Sequence, residues 1–189
     1  MNYLIINADD FGLCESVNDA IIELFIDKKI SSCTFMINMS GLDHAIKSLE
    51  NEDLKNMPIG LHFNIVRGKS IKGKSSITDY DGYFLGRKTL FKKIFLNQVN
   101  LLDIKLEFEA QINFLLDKNF KISHIDSDNH VLSNPIIFSA LKRKIIDSKL
   151  PCRCLKPLKY VSFLKKPKRF LQQVYLYLSD VKNHSEDVK

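Results

Sequence analysis

The stretch HIDSDNHV, residues 124–131, carries several side chains that can bind a metal ion or transfer a proton. His124, Asp126, Asp128 and His130 alternate along it, so they face one side for as long as an extended strand continues. Mixed carboxylate and imidazole ligands suit divalent cations, from Mg²⁺ to Zn²⁺, Mn²⁺ and Co²⁺. The stretch therefore predicts a divalent metal site.

Two other short segments bring similar residues to the ends of predicted strands. Asp9 and Asp10 lie in NADDFG, residues 7–12, and His62 and Asn64 lie in GLHFN, residues 60–64. Each segment alone is a weak signal, because a buried histidine is commonly structural and paired aspartates commonly cap a turn. In α/β folds, however, ligands bind where parallel strands end. The three segments together therefore predict one shared site.

The adjacent aspartates Asp9 and Asp10 allow two different chemical roles, metal binding and proton acceptance. A divalent ion lowers the pKa of a water molecule that it binds, and a nearby carboxylate can accept the released proton. One aspartate could therefore bind the ion while the other acts as the base. This is chemistry suited to hydrolysis.

The apolar pattern predicts strands that alternate with helices. Strands are predicted at residues 3–7, 31–38, 58–66, 121–126 and 152–155, and helices at 15–28, 42–49, 88–96, 103–118 and 135–149, the last with Asn134 as its N-cap. The first strand is expected to be buried and to carry the paired aspartates at its end. A polar, glycine-containing loop is predicted at 67–87, and long loops of this kind are commonly binding loops. The alternation favours an α/β fold with parallel strands, either an open sheet or a β/α barrel.

Composition narrows the class of protein. The 189 residues are 45% hydrophobic, which is enough for the core of one domain, and no apolar run is long enough to cross a membrane. The start lacks the features of a signal peptide and the four cysteines form no CxxC pair, so a reduced, cytoplasmic protein is expected. Residues 142–169 are strongly basic. We interpret this segment as a solvent-exposed basic face and not as a binding surface for an anionic partner. Nucleic acid is not expected as a partner, because no recognition motif accompanies the charge.

The motifs NADDFG, GLHFN and HIDSDNHV, in this order and spacing, resemble those of the YdjC-like (ChbG-like) carbohydrate deacetylases. The helix after NADDFG, the segment SSCTFMIN and Asp-His-Ala at 43–45 are also similar, and the resemblance extends to about residue 155. It implies a distorted, incomplete β/α barrel related to polysaccharide deacetylases, with helices outside. It also implies an enzyme that uses a divalent metal ion to remove acetyl groups from N-acetylated sugars such as chitooligosaccharides. Magnesium is the metal expected ahead of zinc, manganese or cobalt.

The resemblance also implies roles for individual residues. Asp9 matches the general base, Asp10 and His62 match two metal ligands, and Asp128 stands at the third ligand position, where the family has a histidine. The resemblance does not supply the acid that protonates the leaving amine; His130 and His124 are the local candidates, and His130 is expected to act.

Some neighbouring positions are kept and others differ. Asn64, His124 and Asp126 are expected beside the ligands, in contact with them or with the substrate, whereas Asn129 and Leu132 stand where histidines are usual.

A single deacetylase domain is expected over residues 1–178, followed by a polar tail at 179–189. The family's HisPro-containing strand has no counterpart in the last quarter, so the strands that close the barrel are expected to be missing. The basic segment, a helix at 170–178, or a second subunit in a homodimer would then cover the open edge. The first hypothesis is a metal-dependent deacetylase of a small carbohydrate. The alternative is a catalytically impaired paralogue that at most binds the sugar.

Overall fold

The computed structural model describes residues 4–153, which form four strands and five α-helices. The strands are β1 (Asn7–Phe11), β2 (Ser32–Phe35), β3 (Ile59–Phe63) and β4 (Ile122–Ser127). The helices are α1 (Glu15–Ile26), α2 (Leu42–Ser48), α3 (Arg87–Phe95), α4 (Leu101–Asp117) and α5 (Pro135–Ser148). Short 3₁₀ segments occur at Glu52–Leu54 and Asp128–Ser133. Within this range, none of the helices has the length and apolarity needed to span a bilayer.

The four strands form one parallel sheet in the order β1-β2-β3-β4. The predicted α/β class with parallel pairing is therefore confirmed. Cys152 forms a parallel bridge with Ile125, so the strand predicted at 152–155 begins to pair with β4 where it was expected. Its last residues, the helix predicted at 170–178 and the tail at 179–189 lie outside the described range.

The register gives the sheet one apolar and one polar face. Cys33, Ile59, Leu61 and Ile125 follow one another across neighbouring strands on the apolar face. The intervening positions are polar or lack a side chain: Asn7, Ser32, Thr34, Gly60, His62 and Asp126. Because strand residues alternate, the fold places these groups together on a single surface.

Helices α4 and α5 contribute to the apolar side of the core. α4 packs against β3 and α5, and the Phe108 ring meets the Phe63 ring edge to face at 5.1 Å. The N-cap predicted for α5 is confirmed, because the Asn134 side chain accepts hydrogen bonds from the Ile136 and Ile137 amides. The capped helix therefore begins directly after the 3₁₀ segment that follows β4.

The position predicted for the first strand is wrong by several residues. Pairing with β2 begins at Asn7, opposite Ser32, and the apolar residues Leu4, Ile5 and Ile6 before it are exposed rather than buried. The register of a strand is fixed by the neighbour with which it pairs, and hydrophobic pattern alone does not reveal that neighbour. As a result, Asp9 and Asp10 lie within β1 instead of after it.

The loop predicted at 67–87 is present and is tied to α4 through a buried carboxylate. Glu107 accepts hydrogen bonds from Ser70 Oγ at 2.6 Å, from the Ile71 and Lys72 amides at 3.1 Å, and from Gln111 Nε2 at 2.9 Å. One helical residue thus satisfies several donors of a segment that has no regular secondary structure of its own.

We expect Glu107→Gln to lower the free energy of unfolding by about 2–3 kcal/mol, because an amide turns a donor toward groups that now donate to a carboxylate. Urea unfolding measures the change. Glu109→Gln is the matched control on the same helix. Its partly exposed ion pair with Lys144 predicts a loss below about 1 kcal/mol. Equal losses in the two variants would contradict this role of Glu107.

Candidate active site

A β-bulge in β1 places both aspartates of NADDFG at the site. The pairing of β1 with β2 shifts register between Ala8 and Phe11, and Asp10 has a φ of 71°. Adjacent strand residues normally face opposite sides, and a bulge changes where they point. Aspartate tolerates this left-handed backbone better than most residues. Asp9 and Asp10 can therefore both approach the same neighbour.

The turn after the bulge requires glycine. Gly12 has a φ of 92°, and a Cβ atom there would lie 2.3 Å from the Met36 carbonyl oxygen. The Gly12 amide donates to Asn18 Oδ1 at 2.6 Å, and Asn18 Nδ2 donates to the Gly41 carbonyl at 2.8 Å. Asn18, buried on α1, thus joins the turn to the start of α2.

His62 lies between the two aspartates and is 3% exposed. Its Nε2 is 3.3 Å from Asp10 Oδ1, and its Nδ1 is 3.0 Å from Thr34 Oγ1. Thr34 Oγ1 in turn lies 3.2 Å from Asp9 Oδ1, which also accepts from Asn7 Nδ2. The hydrogen bond with His62 lowers the pKa of the Asp10 carboxyl, Arg67 lowers it further, and burial partly opposes both.

His124 packs on the strand that carries His62. The pairing of β3 with β4 is irregular between Ile59 and Leu61, and a Cβ atom at Gly60 would lie 2.6–2.8 Å from the His124 ring. His124 Nδ1 is 2.8 Å from Ser123 Oγ. Burial lowers the pKa of His124, and nearby carboxylates partly oppose the shift. The glycine of GLHFN therefore provides the space for this imidazole.

Two groups of acidic and imidazole ligands share His62. Ligand atoms of Asp10, His62 and Asp128 all lie within 4.8 Å of one another, and so do those of Asp9, His62 and Asp126. The structure thus brings together all three segments singled out by the sequence. Either group offers two carboxylates and one imidazole, a donor set that suits a divalent cation.

Each group also contains an arginine that the sequence did not indicate. Arg67 Nε donates to Asp128 Oδ2 at 2.8 Å and Arg67 Nη2 to Asp128 Oδ1 at 2.5 Å. Arg153 Nη1 donates to Asp126 Oδ2 at 2.8 Å and lies 3.5 Å from Asp9 Oδ2. These pairings join residues far apart in the chain, and the one local signal was the position of Arg67 directly after a predicted strand and of Arg153 within another.

The predicted common face of HIDSDNHV does not extend past β4. The strand ends at Ser127, and Asn129 and His130 have φ values of 51° and 53° in the 3₁₀ segment that follows. Strand alternation therefore no longer applies to His130, which is exposed and belongs to neither ligand group. Asp128 nevertheless reaches the site from the first position of that segment.

Asn64, expected beside the ligands, mainly supports the backbone of the loop. Its Oδ1 accepts from the Val66 and Arg67 amides, and its Nδ2 donates to the Arg67 carbonyl at 2.8 Å. Its own amide donates to Gln111 Oε1 at 3.1 Å. Asn64 thus connects α4 to the loop residue that binds Asp128.

The chain belongs to the YdjC-like protein family, whose model matches residues 3–185. The resemblance carried by the three motifs is therefore confirmed.

Named relatives are deacetylases. The chain is 36% identical over 152 residues to a chitooligosaccharide deacetylase of Yersinia enterocolitica, covering 79% of this chain and 58% of that protein. It is 30% identical over 144 residues to a carbohydrate deacetylase of Vibrio cholerae, covering 74% and 55%. The chain thus spans little more than half the length of these relatives.

A solved structure shares the fold. The crystal structure of a candidate cellobiose-phosphate cleavage protein from Enterococcus faecalis superimposes with a TM-score of 0.70 at 26% sequence identity. The superposition covers 93% of this chain and 63% of that one. The similarity is consistent with the expected barrel-like deacetylase fold.

We expect Gly60→Ala to lower the free energy of unfolding by about 1–3 kcal/mol, because the added methyl group overlaps the His124 ring. The loss should shrink to within about 0.5 kcal/mol when Gly60→Ala is made in a His124→Ala background. Urea unfolding of the four proteins in this cycle measures the coupling. Additive losses would show that the imidazole does not depend on the glycine.

Proposed function

We propose that this protein hydrolyses the acetamide of an N-acetylated sugar, such as a chitooligosaccharide. We also propose that it requires a divalent metal ion, with Mg²⁺ as the favoured candidate. The observation that carries the proposal is the group formed by Asp10, His62 and Asp128, beside the second carboxylate Asp9, in a YdjC-like chain. The names of the two relatives supply the substrate class.

The donor set fits a divalent ion. Carboxylates at Asp10 and Asp128 and the imidazole of His62 converge within 4.8 Å. Where Thr34 donates to Asp9, His62 Nδ1 can donate to Thr34, and an ion bound at Nε2 would take the place of the proton through which that nitrogen contacts Asp10. When bound, the ion would act as a Lewis acid toward the acetyl carbonyl and the attacking water.

Asp9 is proposed as the base that accepts a proton from the attacking water. Its carboxylate side chain is 42% exposed, so a water molecule can reach it. Asn7 Nδ2 and Thr34 Oγ1 both contact Oδ1, and Arg153 lies near Oδ2. These contacts orient the carboxylate without enclosing it. General-base catalysis by a residue so placed typically contributes about 10²–10⁴-fold to the rate.

His130 is proposed to donate the proton to the leaving amine. It is exposed in the segment that follows Asp128, where a sugar lying over the site could contact it. The alternative donor, His124, has its ring against Gly60 and its Nδ1 beside Ser123. The packing of His124 favours His130 for this role, and His124 and Asp126 then serve to position the carboxylates beside them.

The second candidate function is binding of an acetylated sugar without hydrolysis. The pairing of Asp128 with Arg67 and of Asp126 with Arg153 favours it, because both carboxylates already have a cationic partner. Metal binding separates the two functions. A protein that only binds sugar need not take up a divalent ion.

For the enzyme we expect acetate release from N,N′-diacetylchitobiose that stops with EDTA and returns with added Mg²⁺ or Mn²⁺. Asp9→Asn should lower kcat by at least about 10²-fold with little change in metal affinity, because it removes the base and keeps the ligands. Asp10→Asn should weaken metal binding and abolish release. An enzymatic acetate assay and calorimetry make the two measurements.

Asp117→Asn is the control, since this exposed aspartate at the end of α4 lies outside both ligand groups. It should release acetate at the wild-type rate. Metal-dependent release that survives Asp10→Asn would refute the assigned ligand. Sugar binding with no release under any metal would favour the second candidate.

A further inference from the structure

The guanidinium of Arg67 is hydrogen-bonded to both carboxylates of the proposed metal group, Asp10 and Asp128. It donates to both oxygens of Asp128, and its Nη2 also lies 3.3 Å from Asp10 Oδ1. Asp128 Oδ1 accepts a further hydrogen bond from Asn129 Nδ2 at 2.9 Å. A carboxylate oxygen has two lone pairs, so Oδ1 has none left for an ion. The arginine therefore stands where it neutralises the two acids that a cation would bind.

The backbone of Arg67 is held in place. Its amide donates to Asn64 Oδ1 at 3.0 Å, and its carbonyl accepts from Asn64 Nδ2 at 2.8 Å and Asn38 Nδ2 at 3.0 Å. The side chain is 38% exposed. A fixed backbone and a partly exposed side chain allow the guanidinium to move from the site to solvent without a change in the loop.

We infer that Arg67 is a built-in cation that competes with the divalent ion for Asp10 and Asp128, so that metal binding requires the guanidinium to leave the site. The inference rests on the proposed function, whose ligands it uses. Two positive charges cannot share these carboxylates without strong repulsion. The protein without metal is stabilised by the arginine, and its metal affinity is lowered by the same contact.

The direction of the pKa shifts agrees with this contact. The hydrogen bonds with Asp128 raise the pKa of Arg67, and Arg67 contributes to the lowered pKa of Asp10. Both directions mean that the guanidinium of Arg67 and the carboxylates of Asp10 and Asp128 stabilise one another in their charged forms. Only a cation that interacts more favourably with both acids could replace the guanidinium.

Arg153 provides an internal comparison. It pairs with Asp126 and lies near Asp9, the carboxylates of the other ligand group. If the ion binds to Asp10, His62 and Asp128, loss of Arg153 should not remove a competitor. The two arginines therefore distinguish the two ligand groups.

The test is titration of the metal-free protein with MnCl₂ by calorimetry, for wild type, Arg67→Gln, Lys69→Gln and Arg153→Gln. Lys69 is the matched charge control, because it lies in the same loop with its Nζ over the Tyr83 ring. We expect Arg67→Gln to bind Mn²⁺ at least about tenfold more tightly than wild type, because the charge-assisted contacts with the proposed ligands Asp10 and Asp128 are lost only in this variant. Lys69→Gln and Arg153→Gln should each bind within about threefold of wild type.

Thermal unfolding gives a second readout. Arg67→Gln leaves the buried Asp128 carboxylate without its cation, so the melting temperature without metal should fall. Saturating Mn²⁺ should then raise it by more than in wild type. If Arg67→Gln does not fold, Arg67→Lys replaces it. A lysine keeps the charge but cannot donate to both Asp128 oxygens in the same geometry, so it should also bind Mn²⁺ more tightly than wild type.

Unchanged or weaker Mn²⁺ binding in the Arg67 variants overturns the inference. Tighter binding in Arg153→Gln but not in Arg67→Gln also overturns it and assigns the ion to Asp9, His62 and Asp126. In both cases metal-dependent acetate release by wild type leaves the proposed hydrolysis standing, and in the second case Asp9 becomes a ligand instead of the base. Absence of Mn²⁺ binding in every protein overturns the inference together with the proposed metal dependence.

Discussion

The concentration of four aspartates around one imidazole is the constraint on which the rest of the site depends. Two of these carboxylates, Asp126 and Asp128, are almost fully buried. A buried charge is costly unless it is paired and hydrogen-bonded. Arg67 and Arg153 supply the pairing, each from a segment just beyond a strand or bridge of the sheet. The folded protein therefore tolerates an acidic site in the absence of any metal ion.

The two faces of the sheet explain how the acids come together. Helices pack on the apolar face, and the polar residues that form the site, which come from all four strands, lie on the other face. Regular alternation would still separate Asp9 from Asp10. The bulge in β1 and the irregular pairing beside Gly60 depart from regular geometry where the site needs it. Strain of this kind at a functional site is held in place by surrounding contacts such as those of Asn18.

Sequence predicted the elements, the class of fold and the three segments of the site, because hydrophobic period and strand-end polarity are local signals. It could not fix details that depend on partners distant in the chain. The first strand was placed too early because its register is set by β2. The common face assigned to His130 failed because left-handed backbone angles end the strand before it. The partnership of Arg67 with Asp128 spans 61 positions and leaves no pattern in either segment.

The position of Arg67 is in turn determined by the core. Glu107 and Gln111 lie one turn apart on α4, where Glu107 holds the loop at 70–72 and Gln111 bonds both the amide and the carbonyl of Asn64. Asn64 then fixes the backbone of Arg67. Because each of these groups is buried and mutually satisfied, displacing one would leave another unpaired at considerable cost. Helix α4 contributes no side chain to either ligand group. Through Asn64 it nevertheless fixes the backbone of Arg67, whose guanidinium pairs with Asp128.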